Sequence, residues 1–188
     1  VGLLGQRLVK KTVNFDNPGV YHFYYGNEAG EPGTIMTTFP YAGLGVRGGA
    51  SGAGQVDVTS FSVPASAIDF WRARLRAAKV DFIEAITPFD EPSLAFDDPS
   101  GLHIRLVGVT QDERTPWVRP DIPAAQAIRG IHSVAMPVRV PARTVELLTA
   151  MMDATKVGEA EGLQRFAIGG AARAGAIVEV EDAGAAPT

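Results

Sequence analysis

The side chains able to bind a metal or move protons are few in this sequence of 188 residues, which has three histidines and no cysteine. His22 and Tyr24 are two positions apart, so a strand through them would present both on one face. There they could touch a substrate or support a metal site from behind, or they could form a hydrogen-bonded structural pair. His103 lies in an alternating segment, and we expect its side chain to face solvent.

Two common kinds of active site are not predicted. The glycine-rich segment 43–54 lacks the flanking strand and helix and the lysine that a phosphate-binding loop needs. No serine is placed relative to a histidine in a way that suggests an activated nucleophile. The sequence therefore favours neither phosphate chemistry nor serine-type hydrolysis.

Composition narrows the partners. The formal net charge is −4 and the basic residues are scattered, so we expect no nucleic-acid partner. No apolar stretch approaches the ~20 residues of a membrane span, so we expect no membrane partner either. The absence of cysteine fits a cytoplasmic protein.

Hydrophobic periodicity predicts the elements that position these side chains. Three strands come first, at 6–15, 20–25 and 34–39. After the glycine-rich segment, a strand (55–63), a helix (64–79) and three strands (81–86, 93–96 and 102–107) follow. The same order then returns as a strand (130–138), a helix (141–153), a weak strand or turn (158–161) and two strands (164–168 and 176–181).

The helices carry apolar stripes that should be buried. In the first helix the stripe is Ile68, Trp71, Leu75 and Ala78. In the second it is Val145, Leu148 and Met152.

The strand–helix–three-strand order repeats about every 75 residues, which indicates tandem modules. We divide the chain into an incomplete first βαβββ module (1–42), a linker (43–54), a second module (55–109), a connection (110–129) and a third module (130–188). The predicted fold class is α+β, with the modules forming cupped mixed sheets. Because Val1–Gly5 is typical of the last turn of a helix, we expect the chain to be a fragment of a longer protein.

Modules two and three should pack together to bury their apolar faces and leave module one unpaired. An unpaired module would expose a sheet face. We therefore expect the isolated chain to self-associate, as a homo-oligomer or otherwise, or to be poorly stable.

Three segments resemble a known superfamily. Residues 2–41 resemble the first module of glyoxalase-fold ring-cleaving dioxygenases, which open hydroquinone-type rings. FDDPSGLHIRLV (Phe96–Val107) is similar to the closing hairpin of glyoxalase and bleomycin-resistance proteins, and IRGIHSVAMPV (Ile128–Val138) to the start of the family's third module. The chain thus resembles the vicinal-oxygen-chelate superfamily, which includes glyoxalases, bleomycin-resistance proteins and extradiol dioxygenases, over nearly its whole length.

The resemblance implies four modules and a divalent metal, Fe(II) or Mn(II), held by two histidines and a glutamate of modules one and four. All three ligands would fall outside this chain, so the resemblance implies no catalytic residue and no metal in it. At the corresponding positions this chain has Thr38, Val58, Arg105, Ser133 and Glu179. Thr38 should face the cup of module one, where it could contact substrate or merely pack. Arg105 is expected to pair with Asp57 or Asp97.

His132 and Glu179 are candidates for a degenerate site, because the resemblance places them on the first and last strands of one module. The alternative is a buried histidine satisfied by a backbone carbonyl together with a surface glutamate.

The implied function of the complete protein is that of an oxidoreductase: metal-dependent cleavage of a hydroquinone-type aromatic with O₂, with this chain alone inactive. Two alternatives stay open. One is a metal-free binding module of the bleomycin-resistance type, with Trp71, Trp117 or the 21–25 aromatic cluster near the ligand. The other is a glyoxalase-type lyase or isomerase.

Overall fold

The computed structural model describes residues 2–46, 48–169 and 173–184, and within them it contains eleven β-strands and two α-helices. The first module contributes a separate antiparallel sheet in the order β1-β2-β3. Its strands are β1 (Arg7–Val13), β2 (Tyr21–Gly26) and β3 (Met36–Thr38).

The second module begins with a strand, turns through a short 3-10 segment (Ala65–Ala67) into a helix, and ends in three antiparallel strands. These elements are β4 (Val58–Pro64), α1 (Ile68–Ala77), β5 (Ile83–Ile86), β6 (Pro92–Asp97) and β7 (His103–Val109). The apolar stripe of α1 is buried as predicted at Ile68, Trp71 and Leu75, whereas Ala78, also predicted in it, follows the end of the helix and is exposed. It packs on inward residues of the sheet such as Phe61 and Leu94.

The third module repeats the order with β8 (Gly130–Val138), α2 (Pro141–Met151), β9 (Ala154–Ala160), β10 (Leu163–Ile168) and β11 (Ile177–Asp182). Leu148 of α2 packs with Phe166 and Val180 in a second core. The segment 158–161, predicted as a weak strand or turn, lies mostly in the strand β9. One expectation is wrong here: Met152 follows the last residue of α2 and is 45% exposed, so it is not part of a buried stripe.

The two complete modules join edge to edge. β4 and β8 pair antiparallel, giving one eight-stranded sheet in the order β5-β6-β7-β4-β8-β11-β10-β9. Within each module the first strand also pairs in parallel with the last, β4 with β7 and β8 with β11. The predicted α+β class with a cupped mixed sheet is therefore confirmed. The boundaries assigned to the modules stay a prediction.

A register shift interrupts the seam between β4 and β8. Ser60 pairs with Ser133, but the next residue, Phe61, pairs with Ile131, so His132 is an extra residue on β8. An extra residue of this kind lets two successive side chains point to the same side of a sheet. His132 and Ser133 consequently share the face that carries no helix, here called the helix-free face.

The first module is separate as a sheet but does pack against its neighbours. Leu3, Leu4 and Met36 contact the core of the second module. The Gly33 carbonyl accepts a hydrogen bond from the Ile131 amide at 2.8 Å. The expectation of an unpaired first module thus holds for strand pairing and fails for side-chain packing.

None of the helices in the described residues has the length and apolar character needed to cross a membrane.

Candidate functional site

His22 and Tyr24 form a stacked pair on one face of β2. The Tyr24 hydroxyl lies 2.9 Å from His22 Nδ1, and the two ring centroids are 4.0 Å apart. The Phe39 ring lies 4.1 Å from the other side of the imidazole. His22 Nε2 is buried and has no hydrogen-bond partner among the described residues. The described residues therefore leave the hydrogen-bonding capacity of this nitrogen unused.

Thr38, the third candidate of the first module, lies elsewhere. It pairs with Phe23 of β2, which places it on the sheet face opposite His22 and Tyr24. It lines a groove of about 680 Å³ together with Tyr25 and Met36. The expectation that Thr38 shares a cup with His22 and Tyr24 is therefore wrong.

The residue on the His22 face is Thr37, which pairs with Tyr24. A count of residues from the turn proline gives Thr38 instead of Thr37, because the Pro32–Gly33 turn is one residue shorter than the Pro99–Gly101 turn of the second module. A shift of one residue moves a strand side chain to the other face.

His132 and Glu179 both lie on the helix-free face of the eight-stranded sheet, and both are buried, 2% and 1% exposed. His132 Nδ1 is 3.0 Å from the Ser133 hydroxyl, and its Nε2 is 3.2 Å from Glu91 Oε1. Glu179 Oε1 accepts two hydrogen bonds from Arg165, at 2.6 and 3.0 Å. The alternative of a buried histidine satisfied by a backbone carbonyl is right about burial, but the partners of His132 are a hydroxyl and a carboxylate. The surface position expected for Glu179 is wrong.

Glu91 and Arg165 connect the two candidates, and neither was predicted as a site residue. Besides Glu179, the Arg165 guanidinium donates to both oxygens of Glu91, at 3.1 and 2.7 Å. The Cζ atom of Arg165 lies 3.8 Å from the centre of the Phe89 ring, which makes a cation–π contact. Arg165 shares its face of β10 with Leu163 and the buried Ala167, a pattern that could have placed it on a buried face. Glu91 precedes β6 and carried no such signal.

The charges of this network are mutually stabilised. Burial opposes the ionisation of Glu91, but hydrogen bonds from His132 and Arg165 outweigh it and lower the Glu91 pKa to about 2. For Arg165, burial disfavours the cation, yet the hydrogen bond to Glu91 and the charge of Glu179 raise its pKa. Glu91 therefore stays ionised and Arg165 stays protonated across the physiological pH range.

Arg105 of β7 reaches the network from the second module. Its Nη1 lies 3.9 Å from Glu179 Oε2, so the expected pairing with Asp57 or Asp97 is wrong. Those two acids instead flank His103, whose Nδ1 is 2.6 Å from Asp97. The hydrogen bond that His103 donates to the Asp97 carboxylate raises the pKa of His103, which is partly exposed as expected.

Two buried oxygens remain at the centre of the seam. Glu179 Oε2 and Ser60 Oγ are shielded from solvent and accept or donate no hydrogen bond within the described residues. Ser60 pairs with both Ser133 and Arg105, so its side chain also lies on the helix-free face.

The residues at this centre do not fit a divalent metal. Glu179 is engaged by the guanidinium of Arg165 and approached by that of Arg105, so two cations already surround the carboxylate. Val58 and Ser133 fill the first-strand ligand positions. Within residues 2–46, 48–169 and 173–184 no group of three or more acidic or histidine side chains is arranged to hold a metal.

Trp71 has no access to this face. It is a fully buried residue of α1 and donates its indole N–H to the Gln126 carbonyl at 2.8 Å. The expectation that Trp71 lies near a ligand in a binding module is therefore wrong. Trp117 lies in the connection, where Arg7 stacks over its ring at 5.5 Å.

The fold consists of tandem βαβββ modules that join edge to edge. The chain belongs to the vicinal-oxygen-chelate superfamily. Comparison with known proteins finds three close relatives. Two are from Bacillus subtilis, MhqO (43% identical over 88% of this chain) and MhqE (40% over 95%), both named as ring-cleaving dioxygenases. The third is a chlorohydroquinone/hydroquinone 1,2-dioxygenase of Sphingobium indicum, 40% identical over 71% of this chain.

The matches cover only part of each relative. They extend over 52%, 57% and 42% of MhqO, MhqE and the Sphingobium enzyme, so the chain spans about half the length of these relatives. No family model matches the chain.

Solved structures agree on the fold. A Bacillus subtilis protein described as a dioxygenase superposes with a TM-score of 0.90 at 39% identity, over 98% of this chain and 58% of the other. Glyoxalase I from Zea mays gives a TM-score of 0.65 at 9% identity, over 97% of this chain and 62% of the other, which speaks to the fold alone.

Proposed function

We propose that this chain is part of a metal-dependent ring-cleaving dioxygenase, an oxidoreductase that acts on hydroquinone-type aromatics with O₂. The observation that carries the proposal is 40–43% identity to three proteins named as ring-cleaving dioxygenases, one of them for chlorohydroquinone and hydroquinone. The Zea mays glyoxalase likeness supports only the fold, so a lyase or isomerase is the weaker candidate. A cytoplasmic location belongs to the same proposal.

In this proposal the metal, Fe(II) or Mn(II), is held by residues other than those described in this chain. The central ligand-like positions of modules two and three carry an ion-pair network, so these modules serve as the rigid support of the enzyme. The first module would face the reaction with the side of its sheet that carries His22, Tyr24 and Thr37. The buried, unpartnered Nε2 of His22 is the group there best placed to hydrogen-bond a phenolic oxygen.

The proposal is tested by oxygen uptake with hydroquinone and Fe(II), measured on this chain and on a protein extended to the length of its relatives. We expect stoichiometric uptake and ring-opened product from the extended protein and none from residues 1–188 alone. Turnover by this chain alone would contradict the assignment of its role. Hydroquinone binding without oxygen uptake by the extended protein would favour the metal-free binding module instead.

Substitutions in the extended protein test the first module. His22→Gln should lower kcat/KM for hydroquinone about tenfold, since a hydrogen bond to the substrate is lost or misdirected. Thr38→Val is the matched control on the opposite face and should leave kcat/KM within about twofold of the parent protein. Equal effects of the two substitutions would remove His22 from the proposed substrate face.

A further inference from the structure

The guanidinium of Arg114 lies where the first module meets the other two. Its Nη1 donates to the Gly33 carbonyl of module one at 2.7 Å, and its Nη2 donates to the Ile131 carbonyl of module three at 2.9 Å. Nη2 also donates to the Ser62 hydroxyl of module two at 3.2 Å. One side chain of the connection (110–129) thus contacts all three modules.

Three glycines leave the room that this guanidinium occupies. A Cβ atom on Gly130, Gly175 or Gly33 would lie 2.5, 2.9 or 3.3 Å from Arg114 Nη1. A distance below 3.0 Å is a steric clash for a Cβ atom, so a side chain at either of the first two positions would displace the guanidinium. The space bounded by these three glycines is here called the arginine socket.

Asp112 fixes the orientation of the guanidinium in the arginine socket. Its carboxylate accepts hydrogen bonds from Arg114 Nε at 2.9 Å and from Nη2 at 2.6 Å. Burial raises the pKa of Asp112, but the hydrogen bonds from Arg114 and Ser62 outweigh burial and lower the pKa. Asp112 therefore stays ionised at neutral pH, and its two hydrogen bonds hold the planar guanidinium in one orientation.

The turn that contains Gly33 leads directly into β3. Met36, the first residue of β3, is three residues after Gly33. Thr37, the next residue, pairs with Tyr24 and lies on the sheet face of His22. Because the connecting segment is so short, the position of Gly33 sets the position of this face, the His22 face, relative to the eight-stranded sheet.

We infer that Arg114 is a positioning residue for the reaction, because it fixes the His22 face of the first module relative to modules two and three. The inference rests on the proposed function, in which that face meets the substrate, and it adds a residue outside the face. A reaction between bound groups is sensitive to displacements on the order of 1 Å. Loss of the Arg114 contacts should therefore lower kcat more than it raises KM.

The test is Arg114→Lys in the protein extended to the length of its relatives, assayed with Fe(II), hydroquinone and O₂. Lysine keeps the charge, but its single nitrogen cannot reproduce contacts to three modules. We expect kcat to fall about tenfold and KM to change less than about threefold. Arg72→Lys is the matched control, since Arg72 of α1 pairs with Asp69 and Glu84 of module two, and kcat should stay within about twofold. Equal effects of the two substitutions would overturn the inference.

Arg114→Ala tests the arginine socket by chemical rescue. Guanidinium ion has the shape and charge of the missing group, so about 50 mM guanidinium chloride, far below the molar range that unfolds proteins, should raise the kcat of this variant several-fold. The same concentration of NaCl should not. Equal rates in the two salts would contradict a role for the guanidinium group.

Hydrogen exchange in the extended protein tests the same contact without turnover. Arg114→Lys should speed amide exchange in β3 (Met36–Thr38) about tenfold and leave β10 (Leu163–Ile168) unchanged. Unchanged exchange in β3 would overturn the inference, and so would an equal rise in both strands, which indicates a general loss of stability. If the parent protein consumes no O₂, the proposed function fails and this measurement decides whether Arg114 positions the first module.

Discussion

At the scale of single residues, the network around Glu91 shows how charged neighbours keep a buried group ionised. Glu91 loses solvation, yet His132 and Arg165 supply enough hydrogen bonding to keep it ionised. Arg165 in turn remains a cation because Glu91 and Glu179 surround it. Glu91 and Arg165 thus hold each other in the charged state, so we expect substitutions in the network to be strongly non-additive.

The first residue-scale prediction concerns pH. The folded-state pKa of Glu91, about 2, is below its ordinary value of 4.5, so the unfolded chain binds more protons between these values. The stabilisation from Glu91 is fully present above pH 4.5 and is lost as the pH falls towards 2. Glu91→Gln should cost on the order of 2 kcal/mol of unfolding free energy at pH 7. The difference from the parent chain should shrink steadily below pH 4.5.

Urea unfolding at several pH values between 7 and about 2.5 measures this difference. Glu159→Gln removes an exposed carboxylate of β9 and should change the unfolding free energy by less than about 0.5 kcal/mol at pH 7. A Glu91→Gln deficit that stays constant from pH 7 to pH 2.5 would show that the ionised carboxylate is not the stabilising species.

At the scale of elements, the start of β8 is the junction between the first module and the large sheet. Gly130 has φ = 151°, and a Cβ there would lie 2.7 Å from the Gly33 carbonyl oxygen and 2.5 Å from Arg114 Nη1. Arg114 itself donates to the Gly33 carbonyl at 2.7 Å and to the Ile131 carbonyl at 2.9 Å. The turn of one module and the first strand of another thus meet where only glycine fits.

The element-scale prediction is that Gly130→Ala destabilises the chain by about 3 kcal/mol, from backbone strain plus the steric conflict with Gly33. Gly162→Ala is the control: its φ is also positive, at 81°, but a Cβ there meets nothing within 4 Å, so only about 1 kcal/mol of strain is expected. Urea unfolding of both variants gives the two values. Equal losses of unfolding free energy in the two variants would mean that the steric conflict at the junction with the first module adds nothing to the backbone strain.

At the scale of the whole molecule, the first module exposes large apolar side chains beside the eight-stranded sheet. Its β1–β2 hairpin presents Val13 and Tyr21, a directly paired couple about half exposed, beside Phe15, which is 96% exposed. Exposed large apolar side chains that lie near one another are a common site of association. The chain would bury it by pairing with a second copy or with further protein.

The whole-molecule prediction is that the isolated chain self-associates through this hairpin. Sedimentation velocity at about 10–100 μM should show concentration-dependent oligomers. The variant Val13→Thr/Tyr21→Thr should shift the distribution towards monomer. Met151→Gln, at a 78% exposed position on α2, is the control and should leave the distribution unchanged. A monodisperse monomer of the parent chain throughout this range would disprove the prediction.

The sequence by itself determined the local structure and the repeat. Alternation in the strands, the apolar stripe Ile68, Trp71 and Leu75, and the recurrence of strand, helix and three strands are properties of neighbouring residues, so they can be read along the chain. The same patterns placed His22 with Tyr24 on one face and His132 and Glu179 on two strands of one module. Each of these placements is found in the structure.

Tertiary structure decided the chemistry of the site. Glu91 and Arg165 are 74 positions apart, and their contact exists only because β4 and β8 join two modules into one sheet. The face on which Thr38 lies depends on a turn that is one residue shorter, and the direction of the His132 side chain depends on a register shift. Hydrophobic patterns in the sequence indicate neither feature. Long-range electrostatics sets whether a buried glutamate coordinates a metal or pairs with an arginine, and it depends on distances that no local pattern contains.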